Sequence, residues 1–144
     1  MEVEVDRAWI FERGSNRVAQ SVIRVEGFLR EMRDLARHNG ADLLVTLIPD
    51  EVQINADLRA RIVAARDWPP DQFDVAQPNR LLTSALAADG IEVLDLLPVL
   101  SEAANRQRVY KPLDTHWNRA GNRIAAEAIS RVLTDRVARA RQPR

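Results

Sequence analysis

The chain has 144 residues, 46% of them hydrophobic, the length of one ordinary domain with enough apolar material for a core. Basic and acidic residues number 21 each, so the formal net charge is zero and no overall field draws nucleic acid or an anionic membrane surface. The lack of cysteine excludes a disulfide scaffold, a thiolate nucleophile and a cysteine-ligated zinc site, and it leaves the compartment open.

The first residues, "MEVEVDRAWIFERG", are acidic and lack the basic-then-apolar order of a secretory signal, and no run reaches the roughly 20 apolar residues that cross a bilayer. Within them "VEVDRAWIF" reads as at most an edge strand. From Val18 to about Arg37, Val22, Val25, Leu29, Met32 and Ala36 recur at helical spacing, and "HNG" ending at Gly40 supplies a stop. "ADLLVTLIP", Ala41 to Pro49, is a nearly unbroken apolar run closed by proline, the pattern of a parallel strand buried on both faces. A short helix is expected from Ala56 to Ala65, followed by an irregular surface loop at "DWPPDQFD". "PNRLLTSALAADG" reads as a helix with Pro78 in its first turn, Leu81, Leu82, Ala85 and Leu86 on one side, and Gly90 as its end. "IEVLDLL", Ile91 to Leu97, is a second buried strand, and "PVLSEAANRQ" a further short helix. The last helix spans about Arg119 to Arg139, with Asn118 as N-cap and Ile124, Ala128, Val132 and Leu133 as its apolar stripe. The Arg-rich end, about residues 136–144, is expected to fray.

Helix, strand, helix, strand, helix is the order of an α/β/α three-layer fold with a parallel sheet, whose sites lie beyond the carboxyl ends of the strands. We read residues 1–144 as a single α/β domain. Two strands cannot bury both faces of such apolar runs. The domain is therefore expected to be incomplete, its sheet finished by a segment on another stretch of sequence or by a second copy in a homodimer.

One short run carries chemistry. In "LDTHWNRAG", Leu113 to Gly121, an extended backbone would project Asp114 and His116 to the same side. A carboxylate beside an imidazole can fix its tautomer and stabilise the imidazolium formed when histidine takes a proton from a serine hydroxyl. The same residues fit an architectural role: Asp114 capping a turn, His116 half-buried in a loop, Trp117 covering the core edge.

The run "IEVLDLLPVLSEAANRQRVYKPLDTHWNRAGNRIAAEAI", with "LLVTLIPDEVQI" and "QPNRLLTSALAADG" before it, resembles the C-terminal part of the SGNH (GDSL-like) hydrolase superfamily over about residues 20 to 135. That resemblance implies a flavodoxin-like, SGNH-type sheet, serine ester-hydrolase chemistry on a small-molecule or glycan ester, His116 as general base and Asp114 as its orienting carboxylate. Many members separate the aspartate and histidine by two residues, whereas only Thr115 stands between them here. The shorter Asp-x-His-Trp form, with "WIF" at Trp9 to Phe11, is similar to alginate O-acetyltransferase-like proteins, in which the serine block follows later.

The nucleophile stays unassigned. "RGSNR" holds Ser15 without the preceding strand and aspartate of a Gly-Asp-Ser block, and Ser21, Ser84, Ser101 and Ser130 lie in or beside expected helices, where a hydroxyl lacks an oxyanion hole. His38 follows an arginine at a helix end and suits the terminal carbonyls. Asp95 closes a strand, where active-site groups gather, or caps the helix after Pro98; Asp50 and Glu51 also follow a strand end and border the same region. With two histidines, no cysteine and no carboxylate cluster, neither a metal nor a cofactor is expected.

Overall fold

The computed structural model describes residues 2–112 and 114–141, the side chains of 2–4, 70 and 140 excepted. It divides into two compact units, the first reaching to Asp95 and the second starting at Leu96.

The first unit contains α1 (Glu2–Arg7), a 3₁₀ turn (Ala8–Phe11), α2 (Asn16–His38), β1 (Leu44–Leu47), α3 (Glu51–Ile54), α4 (Ala56–Arg66), a second 3₁₀ turn (Pro70–Gln72), α5 (Gln77–Ala88) and β2 (Glu92–Asp95). β1 and β2 are parallel, in the register Leu44 to Glu92, Val45 to Val93, Thr46 to Leu94 and Leu47 to Asp95. The fold is α/β with a small parallel sheet. The strands are shorter than the apolar runs that contain them. Every β1 residue is only half-buried, as are Val93, Leu94 and Asp95, so burial on both faces, expected of each strand, is not reached among the described residues.

Both strands are delivered by the same device. After α2, Gly40 (φ +70) is left-handed; its N–H donates to the carbonyl of Arg37 at 3.1 Å, and the N–H of Ala41 reaches back to Ala36 at 2.9 Å. After α5, Gly90 (φ +66) repeats the motif, with Gly90 N–H on Ala87 at 3.0 Å and Ile91 N–H on Leu86 at 2.9 Å. In each case the paired bonds satisfy orphan carbonyls of the last turn and turn the chain directly into a strand.

The N-terminal segment departs from expectation. "VEVDRAWIF" is helical and among the described residues pairs with no strand of the sheet; Glu12, just after it, forms an antiparallel bridge with Phe73. The reason is the three-residue spacing of Val5, Ala8 and Phe11, which suits a helical face. Ala8 and Phe11 are buried with Val52 and Ile62, and Val5, Ile10, Leu58, Trp68 and Phe73 pack around them. The segment "DWPPDQFD" is likewise more than surface: Phe73 stacks at 5.5 Å from Phe11 and 5.8 Å from Trp68, ring centre to ring centre. α3, also unforeseen, starts with a capping box in which Val52 N–H donates to Asp50 Oδ1 (2.9 Å) and Asp50 N–H donates to Gln53 Oε1 (2.8 Å).

α2 forms where its periodicity predicts, but only part of its apolar stripe is covered, Val22, Leu29 and Ala36 being half-buried. Arg30, Arg33 and Arg37 reach the end of α5, while Val25 and Met32 are 40% and 52% exposed.

The second unit contains α6 (Leu97–Ala104) and α7 (Arg119–Ala140), joined by a loop. α7 takes in residues 136–140 of the tail expected to fray; residues 142–144 of that tail, like Leu113 in the Asp/His run, lie outside the described residues.

No atom lies within 4 Å of where a Cβ on Gly40 would sit, so replacing it tests backbone conformation alone. Gly40→Ala is expected to lower stability by about 1 kcal/mol and Gly40→Asn by less, read as a shift in the urea unfolding midpoint at unchanged slope.

Candidate active site

The loop between α6 and α7 is closed at its neck by an antiparallel bridge between Tyr110 and Trp117, with the Lys111 N–H donating to the carbonyl of His116 at 3.0 Å. Asn118 secures that neck. Its Oδ1 accepts the Gly121 N–H at 3.0 Å, capping α7 as its sequence position predicts, and its Nδ2 donates to the carbonyls of Arg108 at 2.7 Å and Tyr110 at 3.4 Å. Its own N–H donates to the carbonyl of Val109 at 2.9 Å. Gly121 is required by proximity: a Cβ there would collide with the carbonyl oxygen of Val109 and crowd Trp117 at 3.1 Å.

Between the two arms sits the pair that the sequence singles out. Asp114 Oδ1 accepts the backbone N–H of His116 at 2.9 Å and lies 2.5 Å from His116 Nδ1. One carboxylate oxygen thus both closes the turn and contacts the imidazole ring. Lys111 Nζ lies 3.8 Å from the other oxygen, Oδ2. The hydrogen bond from the His116 ring, reinforced by that from its backbone N–H and by the charges of His116 and Lys111, holds the Asp114 carboxyl below the usual carboxylate range. A carboxylate on Nδ1 selects the tautomer that keeps its proton there, leaving the Nε2 lone pair outward. The ring is 78% exposed and the Asp114 side chain 38%. The indole N–H of Trp117 is buried without a hydrogen-bond partner among the described residues.

The remaining candidates fall elsewhere. Ser101 lies inside α6 and Ser130 inside α7, and neither hydrogen-bonds His116; Ser15 is the N-cap position of α2, Ser21 lies in α2 and Ser84 in α5. His38 is the last residue of α2. Asp50 and Glu51 belong to α3 and its cap. Asp95, at the carboxyl end of β2, accepts from Asn79 Nδ2 at 2.7 Å; Asn79 Oδ1 in turn accepts from Gln53 Nε2 at 2.8 Å, and Gln53 also donates to the carbonyl of Val75 at 2.6 Å. Gln53 and Asn79 are each 7% exposed, and neither stood out in the sequence. The signal lay in two uncharged amides, Asn79 on a helix read as apolar-faced and Gln53 in a stretch read without an element, with nothing to show that they would meet. Among the described residues no group of three or more His, Asp or Glu is placed to hold a metal ion, and no described helix is long and apolar enough to cross a membrane.

A parallel β1–β2 pair, helices before each strand and an Asp-x-His-Trp turn before a long C-terminal helix define an SGNH hydrolase-like α/β chain. The chain belongs to the family of the SGNH hydrolase-like domain of the acetyltransferase AlgX, whose model matches residues 5–144. No curated protein and no solved structure matches the chain.

Two outcomes test this geometry. Because the Asp114 carboxyl is depressed in the folded state, its pairing stabilises the turn above the ordinary carboxylate range near about pH 4 and is lost as pH falls through the lowered value. In a carbon-detected NMR titration Asp114 should therefore ionise at lower pH than in His116→Ala, where its value should return toward the ordinary one. Asn118→Ala should cost about 1–2 kcal/mol in denaturant unfolding, since it removes the α7 cap and leaves the carbonyls of the loop neck without their amide donor.

Proposed function

We propose that this chain supplies the general base and the orienting carboxylate of a serine-dependent acyl-transfer site, with His116 as base and Asp114 as orienter. The observation that carries the reading is the single Asp114 oxygen that engages both the backbone N–H and the Nδ1 of His116, at 2.9 and 2.5 Å. A ring fixed in that tautomer presents Nε2 as the proton acceptor. As a serine oxygen attacks the ester carbonyl, Nε2 takes the hydroxyl proton and the Asp114 carboxylate stabilises the imidazolium. The proton then passes to the departing alkoxide, leaving an acyl-serine. An incoming hydroxyl resolves it by the same steps in reverse, with His116 again taking and returning the proton.

When the incoming hydroxyl belongs to an alcohol the reaction is O-acyl transfer; when it belongs to water the reaction is ester hydrolysis of GDSL type. Membership in a family described by an acetyltransferase favours the alcohol. The substrate class is a small-molecule or glycan ester, and the chemistry requires no cofactor. No serine of this chain is assigned as the nucleophile. The half-buried apolar strands support a sheet extended by further strands, from another segment or from a second copy.

A second reading, a catalytically inactive α/β interaction module, is favoured by the 78% exposure of the His116 ring. The two separate in the producing cells. If the site is catalytic, chromosomal His116→Ala and Asp114→Asn should lower the O-acetyl content of the cell's glycans and small-molecule esters, measured by NMR, as far as deletion of the gene does. In a rate assay each change should cost on the order of 10²–10⁴-fold. O-acetylation that falls on deletion but persists in both variants would support the module instead. On the purified chain a fluorophosphonate probe should label no serine; a labelled serine would place the nucleophile here.

A further inference from the structure

Among the described residues one face of α2 is unpartnered, and its pattern is specific. On the anchored side Arg30 Nε donates to both carboxylate oxygens of Asp89 at 3.2 and 3.1 Å, Arg33 to the Asp89 carbonyl and Arg37 to the Gly90 carbonyl at 3.4 Å. On another side Val25, Phe28, Met32 and Leu35 are 40%, 61%, 52% and 66% exposed. Their alternating spacing of three and four residues is that of heptad a and d positions, a seam about 15 Å long along the helix axis. Scattered exposed apolar residues need no explanation, but four on one seam mark an interaction surface. Flanking the seam, at successive g positions, stand Arg24 and Glu31, both exposed and neither ion-paired among the described residues.

We propose that a second copy of this chain covers this seam, α2 packing antiparallel on the partner's α2 about a two-fold axis. The charges choose the register. In an antiparallel pair g positions face g positions, so Arg24 meets the partner's Glu31 and Glu31 meets the partner's Arg24, two ion pairs from one symmetric contact. That register packs Val25 on the partner's Phe28 and Met32 on the partner's Ser21. It also sets the two-fold axis near the midpoint of α2, so the two 23-residue helices overlap along their whole length. Sliding by one heptad would set Glu31 against the partner's Glu31 and leave both ends overhanging. A parallel pair would set Arg24 beside the partner's Leu29 and Glu31 beside the partner's Ala36, with no ion pair. The formal net charge of zero adds no general repulsion between copies.

The test is sedimentation velocity on the full chain across a micromolar concentration series. A dimer is expected, and Phe28→Glu with Met32→Glu should be monomeric at unchanged helical circular dichroism. Should that pair of changes unfold the chain, the exposed charges provide an independent handle. Glu31→Arg alone replaces two attractions by two repulsions and should weaken the dimer on the order of tenfold, and adding Arg24→Glu should restore it. The chain has no cysteine of its own, so Ser21→Cys mixed with Met32→Cys should give a disulfide between unlike chains on oxidation. A chain monomeric throughout the series, which would follow if another segment covered the seam, overturns the proposal. So does a dimer that survives the paired glutamates, or one that Arg24→Glu fails to rescue.

Discussion

The side chain of Asn118 closes the candidate site, because it is bonded in three directions at once. Its Oδ1 takes the Gly121 N–H, and its Nδ2 gives to the carbonyls of Arg108 and Tyr110. One amide therefore fixes where α7 begins and how far the incoming arm of the loop can move from the outgoing one. The described residues between Tyr110 and Trp117, His116 and Asp114 among them, hang from that neck. Without it the carboxylate and imidazole would be two mobile groups on a loop, and their 2.5 Å approach would have to be held against the conformational entropy of the segment. Gly121 works toward the same end. Only a residue without a Cβ lets the first turn of α7 approach Val109 and Trp117 closely enough for the Asn118 bonds to form.

What was legible in the sequence is what is locally encoded. Gly40 and Gly90 announce helix ends because a left-handed residue is needed there whatever lies around it, and Asn118 announces a helix start because its cap bond spans three residues. Asp114 and His116 were legible for the same reason, since their contact spans two. The features that escaped depend on residues distant in sequence. "VEVDRAWIF" alternates well enough for a strand and also carries the three-residue spacing of a helical face; which of the two prevails is decided by a core formed with Val52, Ile62 and Phe73. The Gln53–Asn79–Asp95 chain of hydrogen bonds joins residues 26 and 16 positions apart, and no spacing rule reaches so far. The capping box at Asp50 and Gln53 is the exception, a local signal whose two bonds span two and three residues.

The two sides of α2 show why periodicity alone misassigns a buried face. Val22, Val25, Leu29, Met32 and Ala36 form a broad apolar arc, and an arc of that width satisfies more than one packing partner. The polar contacts with the end of α5 are made by the arginines, whose long aliphatic stems carry guanidinium groups to the Asp89 carboxylate and to the carbonyls of Asp89 and Gly90. The Asp89 carbonyl, at the C-cap, is one that a helix C-terminus leaves unsatisfied, so α5 gains a cap and α2 an anchor from the same bond. Of the apolar arc, Val25 and Met32 are left facing outward while Val22, Leu29 and Ala36 are half-buried.

An exposed imidazole is a weak base for an alcohol, because water competes for Nε2 and screens the carboxylate that should steady the imidazolium. On the proposed chemistry, whatever brings a serine to within hydrogen-bond reach of Nε2 must also exclude water from a ring that is 78% exposed. The two requirements are met by one event: covering the loop positions the nucleophile and lowers the local dielectric together, strengthening the Asp114 contact as the serine arrives. The Asp114 carboxylate is suited to wait for that event. Its two bonds to His116 keep it ionised and aligned in water, so on the proposed chemistry the imidazole is oriented before the site is closed, and closure need supply only the hydroxyl and the dry surroundings.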